Sequence, residues 1–272
     1  MSSNPKRKPE EQKRPLALVT GASSGIGWEL AQVLASHGYD LVLVARREER
    51  LQQLAETLAQ KYSTATQILP IDLSQPGAAS QIKAELTARE AEIDVLVNNA
   101  GFSQHGPVTQ LPVERLHAIV QVNIVALMEL TRIIAPCMMA RGKGRILNVS
   151  SVVGFTPTPF ATVYAATKAF VLSFSEGLAE ELVGTGITVT ALCPGTTKTE
   201  FAEAAGMTKT IAFRSGAMPA KEVAEIGYAG MMRGERIVIS GRMNWWMVFG
   251  VRFAPRTLVA KIAKKIMATE KS

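Results

Sequence analysis

Tyr164 and Lys168 stand four residues apart in Tyr-Ala-Ala-Thr-Lys, a spacing that puts a phenol and an ammonium one turn apart on one face of a helix. A free tyrosine titrates near pH ~10. A neighbouring ammonium favours the phenolate and is expected to lower that value, so the pair suits proton transfer to an oxygen that is gaining charge. Far upstream lies Thr20-Gly21-Ala22-Ser23-Ser24-Gly25-Ile26-Gly27. Its glycines allow a tight turn and a close approach of backbone to a phosphate, whose charge would be met by free N–H groups and by the positive end of a helix starting near Ile26. Each pattern alone arises by chance, but the two in this order in one chain point to redox chemistry.

Such groups need a scaffold that brings distant loops together. Short apolar runs open at Leu16, Leu41, Ile68, Val95, Arg145, Thr188 and Arg236. They are rich in branched residues and lack strict in/out alternation, as strands buried on both faces of a parallel sheet do. Between them, helical periodicity covers 26–36, 48–62, 77–89, 113–140 (with a bend expected near Pro136), 160–183 and 220–232. The expected fold is therefore α/β, a doubly wound (Rossmann) seven-stranded parallel sheet with helices on both faces, in one domain. Ligands then sit beyond the carboxyl ends of the strands, where the loops at 20–27, 98–101, 150–154 and 194–199 should converge.

The chain has 272 residues and a formal charge of +7. Residues 1–14 carry +3 and residues 242–272 carry +6, leaving the remainder at −2. Two basic ends on a near-neutral body argue against a nucleic-acid groove across the fold. Residues 1–15 read as a disordered basic tail, 16–241 as the catalytic domain and 242–272 as a basic amphipathic extension. Cys137 and Cys193 lie in apolar surroundings and are expected to be buried structural residues. The N-terminus lacks an apolar signal segment, and no run approaches the roughly 18 uninterrupted apolar residues of a membrane span, so a cytoplasmic globular protein is expected.

The spacing Gly21-x-x-x-Gly25-x-Gly27 with its leading Thr20, together with Asn98-Asn99-Ala100-Gly101 and Tyr164-x-x-x-Lys168, resembles the short-chain dehydrogenases/reductases of the classical type, over nearly everything from Leu16 to Thr199. The resemblance implies Tyr164 as general acid/base and Ser151, thirteen residues before it, as the hydroxyl that orients the carbonyl. Lys168 would also grip the ribose, and Asn123 would help a water-linked proton path. For the cofactor it implies Thr20, Gly21, Ser23, Ser24, Gly25, Ile26 and Gly27 at the phosphates, and Asp72 and Leu73 at the adenine. Asn99, Ala100 and Gly101 would line the middle, with Pro194, Gly195, Thr197 and Thr199 at the nicotinamide half. It assigns no metal.

Cofactor type is argued at the end of the second strand. A carboxylate there would suit a ribose 2′-hydroxyl and repel a 2′-phosphate, whereas the chain has Ala45, Arg46 and Arg47. NADP(H) is inferred, with Arg46 as main phosphate partner and Arg47 as a lesser one; the alternative is two solvated arginines at the start of the next helix. Many NADP-using relatives carry Arg or Lys where this chain has Ser24. Phe102, Val153, Phe155, Phe160, Phe201, Met207 and Phe213 make the variable loops apolar, with His105 and Arg214 as polar exceptions. A hydrophobic ketone or 3-oxoacyl substrate is the expectation, reduced to or formed from a secondary alcohol. Beyond Gly241, Trp245 and Trp246 precede a helix in which apolar and basic residues segregate. That pattern suits peripheral contact with an anionic membrane, or else a cover over the substrate mouth or a subunit interface. A homo-oligomer is expected from the resemblance. The competing reading is a non-catalytic dinucleotide sensor or a membrane- or partner-binding scaffold on the same fold.

Overall fold

The computed structural model describes residues 14–208, 210–211 and 216–268. Strands β1 (Leu16–Thr20), β2 (Asp40–Val44), β3 (Thr66–Leu69), β4 (Val95–Asn98), β5 (Gly144–Val149) and β6 (Ile187–Cys193) are followed by the short β7 (Thr197–Lys198) and β8 (Met218–Pro219), then β9 (Ile237–Ile239). Seven of them form one parallel sheet in the order β3-β2-β1-β4-β5-β6-β9, while β7 and β8 pair separately. Helices α1 (Gly25–Ser36), α2 (Glu48–Tyr62) and α3 (Ala78–Ala88) connect the first four strands. Then follow α4 (Val113–Val120), α5 (Leu127–Arg141), α6 (Thr162–Glu181), α7 (Glu200–Ala204), α8 (Ala220–Met232), α9 (Arg242–Val251) and α10 (Arg256–Met267).

Successive strand residues point to opposite faces, so the sheet feeds two cores. Ala17, Val19, Leu41, Leu43, Val95 and Val97 pack with Leu30 and Leu34 of α1, Leu54 and Leu58 of α2 and Val223 of α8. Leu18, Val42, Val44 and Leu96 face the other way, onto Ile82 of α3 and Leu130, Ile134 and Met138 of α5. Both faces being apolar explains the unalternated runs in the sequence. The chain builds outward from β1 through β2 to β3 and then returns to β4, so the helices that follow β1 and β4 cover opposite faces and leave a crevice at the strand ends.

Some expectations shift. The third strand ends at Leu69 rather than including Ile71, because Pro70 has no N–H to continue the ladder. The long helix does run from Val113 to Arg141, but its irregularity is a π turn at Gln121–Ala126, well before Pro136. That helix is long and apolar enough to cross a membrane by length and composition, yet half of its apolar window is buried within the fold, as in a core helix. Cys193 is buried, but Cys137 is exposed, because α5 turns Leu130, Ile134 and Met138 inward and presents Cys137 on its outer side. Of the tail expected at 1–15, residues 1–13 lie outside the described residues. Arg14 is held, donating to the carbonyls of Gly38 (2.9 Å) and Ser63 (2.7 Å).

Candidate active site

The crevice at the strand ends is a cleft of about 510 Å³. All the residues assigned to the site from the sequence line it except Thr20, Gly27 and Asn123. Those three hold its walls. Thr20 Oγ1 accepts from the N–H groups of Asn99 and Ala100, both at 3.0 Å, and the Asn99 amide donates to the Thr20 carbonyl at 2.9 Å. The loops after β1 and β4 are thereby pinned to each other. Gly27 must be glycine, since a Cβ there would overlap the Gly21 carbonyl oxygen and the Asn99 amide nitrogen. Gly21 adopts φ +66°, which side chains disfavour, and a Cβ on it would lie 2.8 Å from the same amide nitrogen. At the first turn of α1, the N-cap Ser24 makes no side-chain cap, so the N–H groups there are left to an anion.

Next to this turn the two arginines differ. Arg47 donates to Glu200 of α7 at 2.8 Å and to Ser23 Oγ at 3.2 Å, and Arg50 joins Glu200 at 3.2 Å. Arg46 is exposed on the cleft rim and has no ion pair or hydrogen bond among the described residues. It is the arginine left for an incoming anion. On the other side of the crevice Asp72 Oδ1 accepts from the Ser74 N–H at 2.9 Å, which fixes the turn after β3.

At the opposite end, α6 presents Tyr164 and Lys168 to the cleft. Ser151 caps the short 3₁₀ turn Val152–Phe155 by accepting from the Val153 N–H at 3.3 Å, and its own hydroxyl donates to the Pro194 carbonyl at 3.2 Å, with Tyr164 beside it. Ser150 instead donates to the Lys168 carbonyl at 2.7 Å, so of the two serines Ser151 is the one beside the phenol. Burial raises the Tyr164 pKa above its ordinary value, against the smaller lowering by the neighbouring Ser151 hydroxyl. The expected lowering by Lys168 is not found. The ammonium is turned into the Val149 carbonyl at 2.6 Å, lies 5.7 Å from the centre of the Tyr164 ring, and is itself pulled down to about 8 by burial. Loss of water outweighs a charge that is directed elsewhere.

Asn123 sits on the π turn, whose wider pitch swings its side chain off the helix ladder. Its amide donates to the Phe102 carbonyl (3.1 Å) and Thr167 Oγ1 (3.0 Å), and its carbonyl oxygen accepts from the Phe102 N–H (3.1 Å). The side chain thus tethers the loop after β4 to α6 rather than facing the cleft.

Around the outer cleft Phe102, Val153, Phe201 and Met207 are lining residues as expected. Phe155 packs instead on Leu172 and Ala191, and Phe160, at φ +64°, places its ring 5.7 Å from that of His105. Phe213 and Arg214 lie outside the described residues. Lining residues that the sequence does not single out include Ser103, Arg115 and Met267. Ser103 is buried and its hydroxyl has no partner among the described residues. Arg115 stacks over Phe102 at 4.4 Å. Met267 comes from α10, and its carbonyl is 2.8 Å from His105 Nε2. No local signal marks Arg115 or Met267, since their place in the cleft is set by packing of distant elements.

Among the described residues no group of three metal-ligating side chains converges. What does converge is a phenol beside a serine hydroxyl, a buried amine, and a glycine-lined turn at the other end of one crevice. Residues 15–210 match the model of the short chain dehydrogenases. The chain belongs to the short-chain dehydrogenase family. It is 37% identical to the very-long-chain 3-oxoacyl-CoA reductase of Mus musculus over 191 residues, which cover 69% of this short-chain dehydrogenase and 61% of that protein. With the counterpart from Danio rerio it shares 38% over 182 residues, or 65% and 56% of the two chains. The chain thus spans about three fifths of the length of these curated relatives. Among solved structures, a short-chain dehydrogenase from Sphingobium yanoikuyae in complex with NADPH superposes with a TM-score of 0.79 at 37% identity, covering 88% of this chain and 94% of that one. A bulky-bulky ketone specific alcohol dehydrogenase from Comamonas testosteroni gives 0.75 at 33%, covering 88% and 92%.

Proposed function

We propose that this short-chain dehydrogenase is an NADP(H)-dependent oxidoreductase that reduces the carbonyl of a hydrophobic ketone or 3-oxoacyl substrate to a secondary alcohol, or runs the reverse. The observation that carries this is the convergence of Ser151, Tyr164 and Lys168 in the same cleft as the unpaired Arg46. The glycine-lined turn fits a pyrophosphate, Arg46 fits a 2′-phosphate, and Asp72 and Leu73 fit an adenine ring; the NADPH bound by the Sphingobium yanoikuyae relative supports the assignment. When bound, the nicotinamide supplies the hydride.

The chain's own residues handle the proton. The Ser151 hydroxyl, which donates to the Pro194 carbonyl in this structure, turns to donate to the substrate's carbonyl oxygen and orients it. As charge builds on that oxygen, the Tyr164 hydroxyl transfers its proton and completes the alcohol. Because burial holds the phenol above its ordinary pKa, Tyr164 is protonated at neutral pH, which suits the reducing direction. Lys168 anchors the floor through Val149, and Asn123 keeps the Phe102 loop at the substrate side. The apolar outer cleft and the named activities of the relatives support a hydrophobic carbonyl.

Residues 16–241 then form the catalytic domain and 242–272 an appended segment giving peripheral membrane contact in the cytoplasm. A homo-oligomer is supported by the exposed Val120, Met128 and Met139 along the long helix. The test is oxidation of NADPH and NADH with medium and long 3-oxoacyl thioesters, bulky ketones and aldehydes, using Tyr164→Phe as control. Turnover lost in the variant is expected; binding of NADPH with no turnover on any of these would favour the sensor.

A further inference from the structure

Helices α9 and α10 pack on the body by few side chains. Val248 of α9 and Val259 and Met267 of α10 are buried, while the outer faces are apolar and in solvent. On α9 and the turn after it, Trp245 stacks on Phe249 at 5.4 Å, Trp246 meets Trp245 edge-on at 4.9 Å, and Phe253 continues the cluster at 5.3 Å from Phe249. Despite this self-packing Trp246 remains 61% and Phe253 76% exposed. On α10, Leu258, Ile262 and Ile266 recur every fourth residue and form an exposed stripe beside the inward Val259 and Met267.

Charge identifies the occupant. Residues 242–268 contain Arg242, Arg252, Arg256, Lys261, Lys264 and Lys265 and no acidic residue. A second copy related by a two-fold axis would set this patch against itself, cation facing cation. Tryptophans and basic side chains bordering an apolar stripe instead match the headgroup layer of an anionic bilayer. The far end of the same helix reaches the cleft: Met267 lines it, and its carbonyl is joined to His105 on the loop after β4.

We propose that α9 and α10 dock on an anionic bilayer and that lipophilic carbonyl substrates pass from it into the cleft beside Met267. This rests on the reductase reading only for what enters the cleft. The test is sedimentation of the full chain with phosphatidylcholine vesicles and with vesicles containing phosphatidylglycerol. Binding to the anionic vesicles alone is expected. The triple change Lys261→Glu, Lys264→Glu, Lys265→Glu should lower the partition coefficient about a hundredfold or more, at roughly fivefold per lysine, and Trp245→Ser with Trp246→Ser should lower it too. Turnover of a water-soluble ketone should be unchanged in both variants, which reports folding and tests the reductase reading separately. For a ketone dissolved in vesicles, the rate should rise with anionic lipid in the wild type and not in the triple variant. Absence of vesicle binding, equal binding by wild type and triple variant, or a lipid-independent rate overturns the proposal even if turnover stands. Self-association that the variants abolish, without vesicle binding, assigns the face to a second copy instead.

Discussion

Lys168→Met, studied in the chain without cofactor, should give a protein that is more stable at neutral pH and inactive. Burial lowers the Lys168 pKa from 10.5 to about 8. At about 1.36 kcal/mol per pH unit, keeping this buried ammonium charged costs roughly 3 kcal/mol of folding stability at pH 7. Methionine removes that cost but leaves the Val149 carbonyl without its 2.6 Å donor, a loss of about 1–2 kcal/mol. The first effect is larger, so the variant should gain about 1–2 kcal/mol at pH 7. Between pH 8 and 10.5 the unfolded lysine holds a proton that the folded one has released, so wild-type stability rises with pH across this window. The penalty is full below the folded value and gone above the unfolded one. Urea unfolding of both proteins from pH 7 to 10 should therefore give stability curves that cross near pH ~9. A difference that stays constant over the window would refute the reasoning that burial, rather than a neighbouring charge, governs this amine.

Tyr164→Phe should lower kcat/KM for ketone reduction by about 10²–10⁴-fold while leaving the NADPH dissociation constant within a few-fold; unchanged turnover would remove Tyr164 from the chemistry. Arg46→Asp should weaken NADPH binding by about ten- to a hundredfold and spare or improve NADH binding, measured by fluorescence titration. An unaltered preference would transfer the phosphate contact to Arg47. Gly27→Ala forces a Cβ into the Gly21 carbonyl and the Asn99 amide, so it should cost about 1–3 kcal/mol and abolish NADPH binding. Asn123→Ala strips the partners from the Phe102 N–H and carbonyl, and each unpaired group costs about 1–3 kcal/mol. A melting temperature within a degree of wild type would show that the loop is held by other means.

The sheet was readable because both of its faces are buried, which writes each strand as an apolar run and each connection as a helical period. The cleft floor was readable for a different reason: Gly21, Gly25, Tyr164 and Lys168 have types and spacings that the geometry demands. What stayed hidden depends on packing between distant segments. The two-residue strands β7 and β8 carry no periodicity and exist only because Thr197 and Met218 are brought side by side. The π turn around Asn123 has nearly the same local propensities as the α-helix flanking it. Arg115 and Met267 look like ordinary members of amphipathic helices. The direction of the Tyr164 shift was misread because sequence spacing gives the distance to Lys168 but not the Val149 carbonyl toward which the amine points.

The reach of α10 into the cleft also orders events during synthesis. Gly21 and Met267 border the same cavity from opposite regions of the chain, and the roughly 250 residues between them take about 12–50 s to make at 5–20 residues per second. The dinucleotide half, built from the loops after the first four strands, can assemble while the wall carrying Met267 is still on the ribosome. A nascent chain would thus acquire its cofactor surface well before its substrate chamber is closed.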